Sequence, residues 1–220
     1  MNYKRITILC GHYGSGKTNI AVNMAFDIKK SHDRVCIADL DIVNPYFRTK
    51  DSREELAAAN IKLVCSEYAS TNIDIPALPA EIYSLTDDTD TMAVLDIGGD
   101  DRGALALGRL TPKILEENNY EVLAVINCYR PLTQDATSTV EVLREIECAM
   151  GLRFTGIVNN SNLGESTTAE DVLESLGYAK QVSSLMSLPV VMTSVCDRLY
   201  EELNGKIPNL FSLSLQKKIN

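Results

Sequence analysis

Short apolar runs ending on polar residues alternate with stretches of helical spacing along most of the chain. Ile6-Thr7-Ile8-Leu9-Cys10 reads as a buried strand, and from Thr18 onward Ile20, Met24 and Ile28, with Ala21 and Ala25 beside them, mark one helix face. Arg34 to Ala38 reads as a second strand and Ile61 to Val64 as a third, with Ser52-x-x-Glu55 between them in capping-box form, opening a helix through Ala59. Met92 to Asp96, Val122 to Ile126, Phe154 to Val158 and Leu188 to Met192 continue the strand series. Between them a helix is expected over Leu105 to Glu117, adjusted around Pro112. Another should be capped by Thr133, with Val140, Leu143, Ile146 and Met150 on one face, and a third is opened by Thr168-x-x-Asp171 and runs through Leu176. Residues 66–90 are ambiguous, with Pro76 and Pro79 near a short helix. Alternation of this kind predicts right-handed crossovers and a three-layer α/β fold, its mostly parallel central sheet covered by helices on both faces.

Nothing in the composition divides this pattern. The 220 residues hold 45% hydrophobic and 23% charged positions, and the prolines and glycines are scattered, so one domain over residues 1–220 is expected, with 209–220 as a flexible tail. A net charge of −9 without a lysine- or arginine-rich cluster disfavours nucleic acid as a partner. No apolar segment approaches membrane-spanning length, the first strand begins too early for a signal peptide, and the six cysteines form no C-x-x-C pair. A cytoplasmic protein with buried free thiols is the expectation.

Chemistry enters at Gly11 to Thr18. This stretch, GHYGSGKT, fits G-x-x-x-x-G-K-[ST], the phosphate loop of nucleoside-triphosphate-binding proteins, and it sits between the first strand and first helix as that motif requires. Backbone N–H groups of Gly11, His12, Tyr13, Gly14, Ser15 and Gly16 can turn inward around phosphate oxygens, and the helix beginning near Lys17, Thr18 and Asn19 presents its positive end to the anion. Lys17 brings a mobile ammonium to the outer phosphates, and the Thr18 hydroxyl can ligate Mg2+. Strand ends then deliver the acids to one edge of the sheet. Asp96 is placed to bind Mg2+ directly or through water, while Asp39 and Asp41 emerge after the second strand. One of that pair is suited to orient metal-bound water, which makes Asp39 a metal candidate, and the other, Asp41, to position the attacking water. Gly98-Gly99 would let backbone approach a γ-phosphate.

GHYGSGKT, DLDIVNPYFR at 39–48 and VLDIGG at 94–99 together resemble the deviant Walker-A phosphate-loop ATPases, the MinD/ParA/CobQ/CobB-type superfamily that also includes nitrogenase iron protein and Mrp-type carriers. The resemblance spans residues 5 to about 200. It implies a P-loop NTPase fold and an ATP-dependent homodimer or nucleotide switch, with Asp39 and Asp41 in a first switch and Asp96 in a second. GIVNNSNLG at 156–164 is similar to the stretch where Mrp-like members contact adenine, which implies base binding by Asn160 with Asn159 as neighbour. One departure concerns the loop itself: the family's second lysine, after the first glycine, is here His12, and Arg48 or Arg102 could supply charge instead.

Asn159-Asn160-Ser161-Asn162 lacks the lysine and aspartate of a guanine-reading N-K-x-D segment, so adenine is preferred. Residues 96–127 contain no cysteine, which disfavours an iron–sulfur cluster there. At the tail, Phe211, Leu215 and Ile219 share a helical face, but a docked or frayed terminus is preferred to a membrane-binding helix. The leading expectation is a Mg2+-dependent ATPase, slow in turnover, binding ATP and ADP and controlling association with an unidentified protein partner. Two rivals remain: a small-molecule kinase or amidoligase-like enzyme with an acceptor pocket in residues 66–90, and a nucleotide-binding module that does not hydrolyse.

Overall fold

The computed structural model describes residues 2–40, 52–65, 81–98 and 107–214. Within them the strands are β1 (Ile6–Cys10), β2 (Val35–Leu40), β3 (Lys62–Cys65), β4 (Met92–Ile97), β5 (Tyr120–Ile126), β6 (Gly156–Asn159), β7 (Val190–Cys196) and β8 (Leu210–Leu213). The helices are α1 (Lys17–Lys29), α2 (Arg53–Ala58), α3 (Glu81–Asp87), α4 (Thr111–Glu117), α5 (Ala136–Met150), α6 (Ala169–Met186) and α7 (Asp197–Leu203). The strands form one eight-stranded sheet in the order β3-β2-β4-β1-β5-β6-β7-β8, and every described pairing is parallel. The expected α/β architecture is therefore present, all-parallel rather than mostly so.

Period-two alternation sorts each strand's side chains to two helical layers. Ile6, Ile8 and Cys10 of β1, with Val122, Ala124 and Ile126 of β5, face a core shared with α3, α4, α5 and α6. Leu9, Leu123 and Val125 face the opposite layer, where α1 inserts Ile20, Ala21, Met24, Ala25 and Ile28 and α2 adds Leu56. Chain direction reverses about β1: the crossover after it leads toward β2 and β3, and the chain later returns past it to β5 through β8. The loop after β1 thus lies in the crevice at a topological switch point, where open α/β sheets bind ligands.

Several boundaries moved for local reasons. Pro112, lacking an N–H, sits in the first turn of α4; continuing a helix through it from Leu105 would set its ring against a carbonyl one turn back. Asp135, not Thr133, caps α5 by accepting from Ser138 N at 2.9 Å, while Thr133 lies in a 3-10 turn and donates to Asn127 O at 2.7 Å. Ser52 gives α2 no side-chain cap, whereas the Thr168–Asp171 box forms in both directions and α6 extends past Leu176 to Met186. The region expected as a flexible tail, docked or frayed, begins with β8, which pairs with β7 and buries Phe211 and Leu213 against the α1 layer. Leu215 to Ile219 lie outside the described residues, as do Pro76, Pro79 and most of the ambiguous segment.

Beneath the sheet, at the N-terminal end of β1, Arg5 is almost fully buried. It pairs with Glu117 of α4 and donates from Nη1 to the carbonyls of Leu85, Asp88 and Thr91 at 3.0, 3.2 and 3.0 Å. One side chain thus ties β1 to α3, to the turn before β4 and to α4. It closes the edge of the sheet opposite the phosphate loop.

Candidate functional site

The loop between β1 and α1 depends on glycine at two positions. A Cβ on Gly11 would fall 2.3 Å from the Val125 carbonyl oxygen, so only glycine lets the loop leave β1 flush against β5. Gly16, at the N-cap of α1, has φ 90° and ψ 22°, and a Cβ there would stand 2.2 Å from Asn160 Nδ2. The helix then begins at Lys17, with its first-turn N–H groups directed at the loop.

Lys17 is buried, its Nζ donating to the carbonyls of Gly11 and His12 at 3.0 and 3.3 Å. The ammonium is therefore held over the loop by neutral carbonyls, partners that an anion's oxygens outcompete. Thr18 Oγ1 donates to Asp96 Oδ2 at 2.6 Å, a buried contact joining the start of α1 to the end of β4. Asp39 lies in register with Asp96 on the neighbouring strand, hence on the same face of the sheet, and Leu9 pairs with Asp96 on the other side. Two adjacent carboxylates and a threonine hydroxyl form an all-oxygen set suited to Mg2+, which keeps waters and takes further oxygens from bound phosphates. The Ser15 hydroxyl, buried within the loop, has no hydrogen-bond partner among the described residues, the condition of a donor placed for an anion. Among those residues no group of three or more His, Cys, Asp or Glu is arranged to hold a metal by itself.

Other predicted residues are placed differently. His12 Nδ1 lies 2.9 Å from the Tyr13 carbonyl. Nδ1 donates in that contact when the proton sits on it, the tautomer a carbonyl partner favours. Tyr13 is 53% exposed at the loop tip, and Asn19 turns toward Asn23, whose Nδ2 donates to the Asn19 carbonyl at 2.8 Å. Asn159 is fully buried and consumed by the fold: Nδ2 donates to Ser175 Oγ at 2.9 Å, and Oδ1 accepts from Ser161 N and Oγ at 3.2 and 2.8 Å. It shapes the loop after β6, beside Asn160. Asn160 does reach the site, donating from Nδ2 to the Ser15 carbonyl at 2.6 Å and accepting at Oδ1 from Ser194 Oγ at 2.7 Å. Asp41, Arg48, Gly99 and Arg102 lie outside the described residues.

Two further residues contribute to the site. Arg130, in the loop after β5, donates from Nε to the Gly14 carbonyl at 2.8 Å. Asn127, with no exposed surface, accepts at Oδ1 from Tyr129 N and Asn162 N and so fastens the loops after β5 and β6 together. Both follow an apolar strand on the edge that carries the site, the signal that identified Asp96. Burial pushes the Cys10 thiol, just before the loop, up to about 12, with Lys17 acting in the opposite direction; it is an inert core group at neutral pH.

No protein-family model matches the chain, and no curated protein matches it. Solved structures do. Chloroplast FtsY from Physcomitrella patens is similar over 88% of this chain and 59% of its own, at 18% identity and a TM-score of 0.56. The fold is that of the P-loop NTPases. FtsY from Mycoplasma mycoides matches over 86% of this chain and 59% of its own at 20% identity, with a TM-score of 0.51. The signal recognition particle 54 kDa protein from Aeropyrum pernix, solved in complex with GDP, matches over 87% and 41%, at 16% identity and a TM-score of 0.53. The chain thus spans less than two thirds of the length of these neighbours. No helix among the described residues is long and apolar enough to cross a membrane.

Proposed function

We propose that this protein binds a purine nucleoside triphosphate with Mg2+ and hydrolyses it slowly, the bound nucleotide governing association with a second copy of the chain or another protein. The observation that carries the reading is the buried Thr18–Asp96 contact beside a phosphate loop whose Lys17 is already gathered over it. Gly11 to Thr18 would cradle the phosphates through backbone N–H groups, Ser15 would add a hydroxyl, and Lys17 would neutralise the outer oxygens. Thr18, Asp96 and Asp39 would hold the ion, which supplies charge neutralisation between phosphates; Asp41 remains our candidate for orienting the attacking water. The resemblance to the MinD/ParA/CobQ/CobB-type superfamily supports the switch, and His12 departs from it at the position of the family's second lysine.

Adenine is our preferred base, because Asn159 to Asn162 offers no carboxylate to accept from a guanine N1–H and amino group. Guanine is the second reading, favoured by the GDP bound in the Aeropyrum pernix neighbour. Phosphate release followed with ATP and GTP in separate reactions, with Mg2+ and with no acceptor, tests the proposal. Slow release from one purine supports the switch. Nucleotide binding without release supports a non-hydrolysing module, and diphosphate formation only when a small-molecule acceptor is added supports the kinase.

A further inference from the structure

The triphosphate site has a direction along the sheet edge. Its metal-binding end is fixed by Asp96 on β4 and Asp39 on β2, to one side of β1. A nucleotide whose outer phosphates lie there must run its nucleoside toward the other side, over the ends of β5 and β6. Two side chains from those ends take consecutive carbonyls of the loop: Arg130 takes Gly14, and Asn160 takes Ser15. Asn160 is buried and spent on both arms, but Arg130 is half-exposed and uses only Nε. The hydrogen bonds and ion pairs of the described residues leave its Nη groups without a partner. It is a planar cation fixed to the loop by one edge, with its face unassigned.

The segment that carries Arg130 is rigidly built. Arg130 N donates to the Asn127 carbonyl at 3.3 Å, Thr133 N donates to the Arg130 carbonyl at 3.0 Å, and Thr133 Oγ1 also donates to the Asn127 carbonyl. Ser161 Oγ accepts from Cys128 N at 3.1 Å, and Tyr129 Oη donates to the Asp171 carbonyl at 3.0 Å. The guanidinium is therefore positioned by β5, β6 and α6 together. Holding it this way lowers the conformational cost of meeting a ligand. Resting on the nucleotide-binding reading above, we propose that Arg130 is the platform for the nucleoside, its guanidinium plane stacking on the purine ring while Nε stays on the loop. A guanidinium stacks on an aromatic face in a way that an ammonium does not, and stacking accepts either purine. The base is then gripped by a face contact, with its edges left to other groups.

The test compares binding of ATP, GTP and inorganic tripolyphosphate, each with Mg2+, by calorimetry on the full chain and on Arg130→Ala and Arg130→Lys. Arg130→Ala should weaken the preferred nucleotide about tenfold, the ordinary worth of one stacked base, and tripolyphosphate by clearly less, since that ligand loses only the support of the Gly14 contact. Arg130→Lys, which keeps the charge and an N–H donor, should fail to restore nucleotide affinity. If Arg130→Ala does not fold, the Lys variant carries the same comparison. Equal losses for nucleotide and tripolyphosphate would mean that Arg130 serves the phosphates or the loop and would overturn the proposal, as would no loss for either or full rescue by lysine. The fluorescence of 2-aminopurine riboside triphosphate gives a separate readout: quenching on binding to the wild type should be relieved in Arg130→Ala, and undiminished quenching counts against the stack. Failure of the underlying reading is distinct, because the wild type would then bind neither nucleotide nor tripolyphosphate.

Discussion

Replacing Gly16 with alanine adds one methyl group and should cost as much as a typical core truncation. The new Cβ would stand 2.2 Å from Asn160 Nδ2, a distance no carbon and nitrogen tolerate, so Asn160 must withdraw. Its hydrogen bonds to the Ser15 carbonyl at 2.6 Å and from Ser194 Oγ at 2.7 Å are then lost. Each is worth about 1 kcal/mol, more where a buried partner stays unsatisfied. Holding alanine at φ 90° adds about 1 kcal/mol of backbone strain. The sum is about 3–4 kcal/mol, and at roughly 2–4 °C per kcal/mol for a chain of this size the melting temperature should fall by about 10 °C. Thermal and urea unfolding of Gly16→Ala, Asn160→Ala and the double variant check the mechanism. Asn160→Ala alone should cost about 2 kcal/mol through the same two bonds. The double variant should be little worse than Gly16→Ala, because the collision has already removed what Asn160 supplied. Strict additivity would refute the reasoning, since it would mean that alanine at position 16 and the Asn160 amide do not compete for the same space.

Asp96→Asn should leave the fold intact but reduce Mg2+-dependent phosphate release by about a hundredfold, the usual scale for removing one preorganised electrostatic group, with the apparent Mg2+ requirement raised in a metal titration. Arg5→Leu should destabilise the protein by about 3–5 kcal/mol in urea unfolding, because Glu117 and three carbonyls lose a buried cation, and nucleotide affinity at the opposite sheet edge should be unchanged in whatever fraction folds. Acid should weaken the starts of α5 and α6. The Ser138 backbone N–H and hydroxyl lower Asp135, and the Thr168 hydroxyl and backbone N–H lower Asp171, so both carboxyls bind protons more weakly folded than unfolded. Their contribution is present above about pH 4 and is lost as pH falls through the folded-state values, so the urea midpoint should decline below about pH 4 less steeply in Asp135→Ala than in the wild type.

The sheet was legible because its strands are buried on both faces and stand out as apolar runs, and the crossover helices because their cores follow a 3.6-residue period. β8 was not legible: Leu210–Leu213 is four residues long, alternates with serine, and gains its burial only by pairing with β7. Caps are legible where the pattern is local and complete, as at Thr168 and Asp171, and not at Thr133, whose hydroxyl serves the loop after β5. In the site, spacing located Lys17, Thr18 and Asp96 because strand ends and a loop motif place them. Spacing alone does not separate Asn159 from Asn160, which only the resemblance ranks. Adjacent residues at the end of a strand point to opposite faces, and only the positions of Ser175 and Ser194 determine which amide is consumed by α6 and which turns to the loop. Arg130 was hidden by sequence distance, since its partner Gly14 lies 116 residues earlier.

Whether Gly11 to Thr18 holds a triphosphate is decided by calorimetric titration of the protein and of Lys17→Ala with MgATP and MgGTP. The wild type should bind one purine triphosphate saturably, and Lys17→Ala should lose that binding with its circular dichroism unchanged. Binding that survives the loss of Lys17, or no binding of either nucleotide by the folded wild type, would contradict a triphosphate site there.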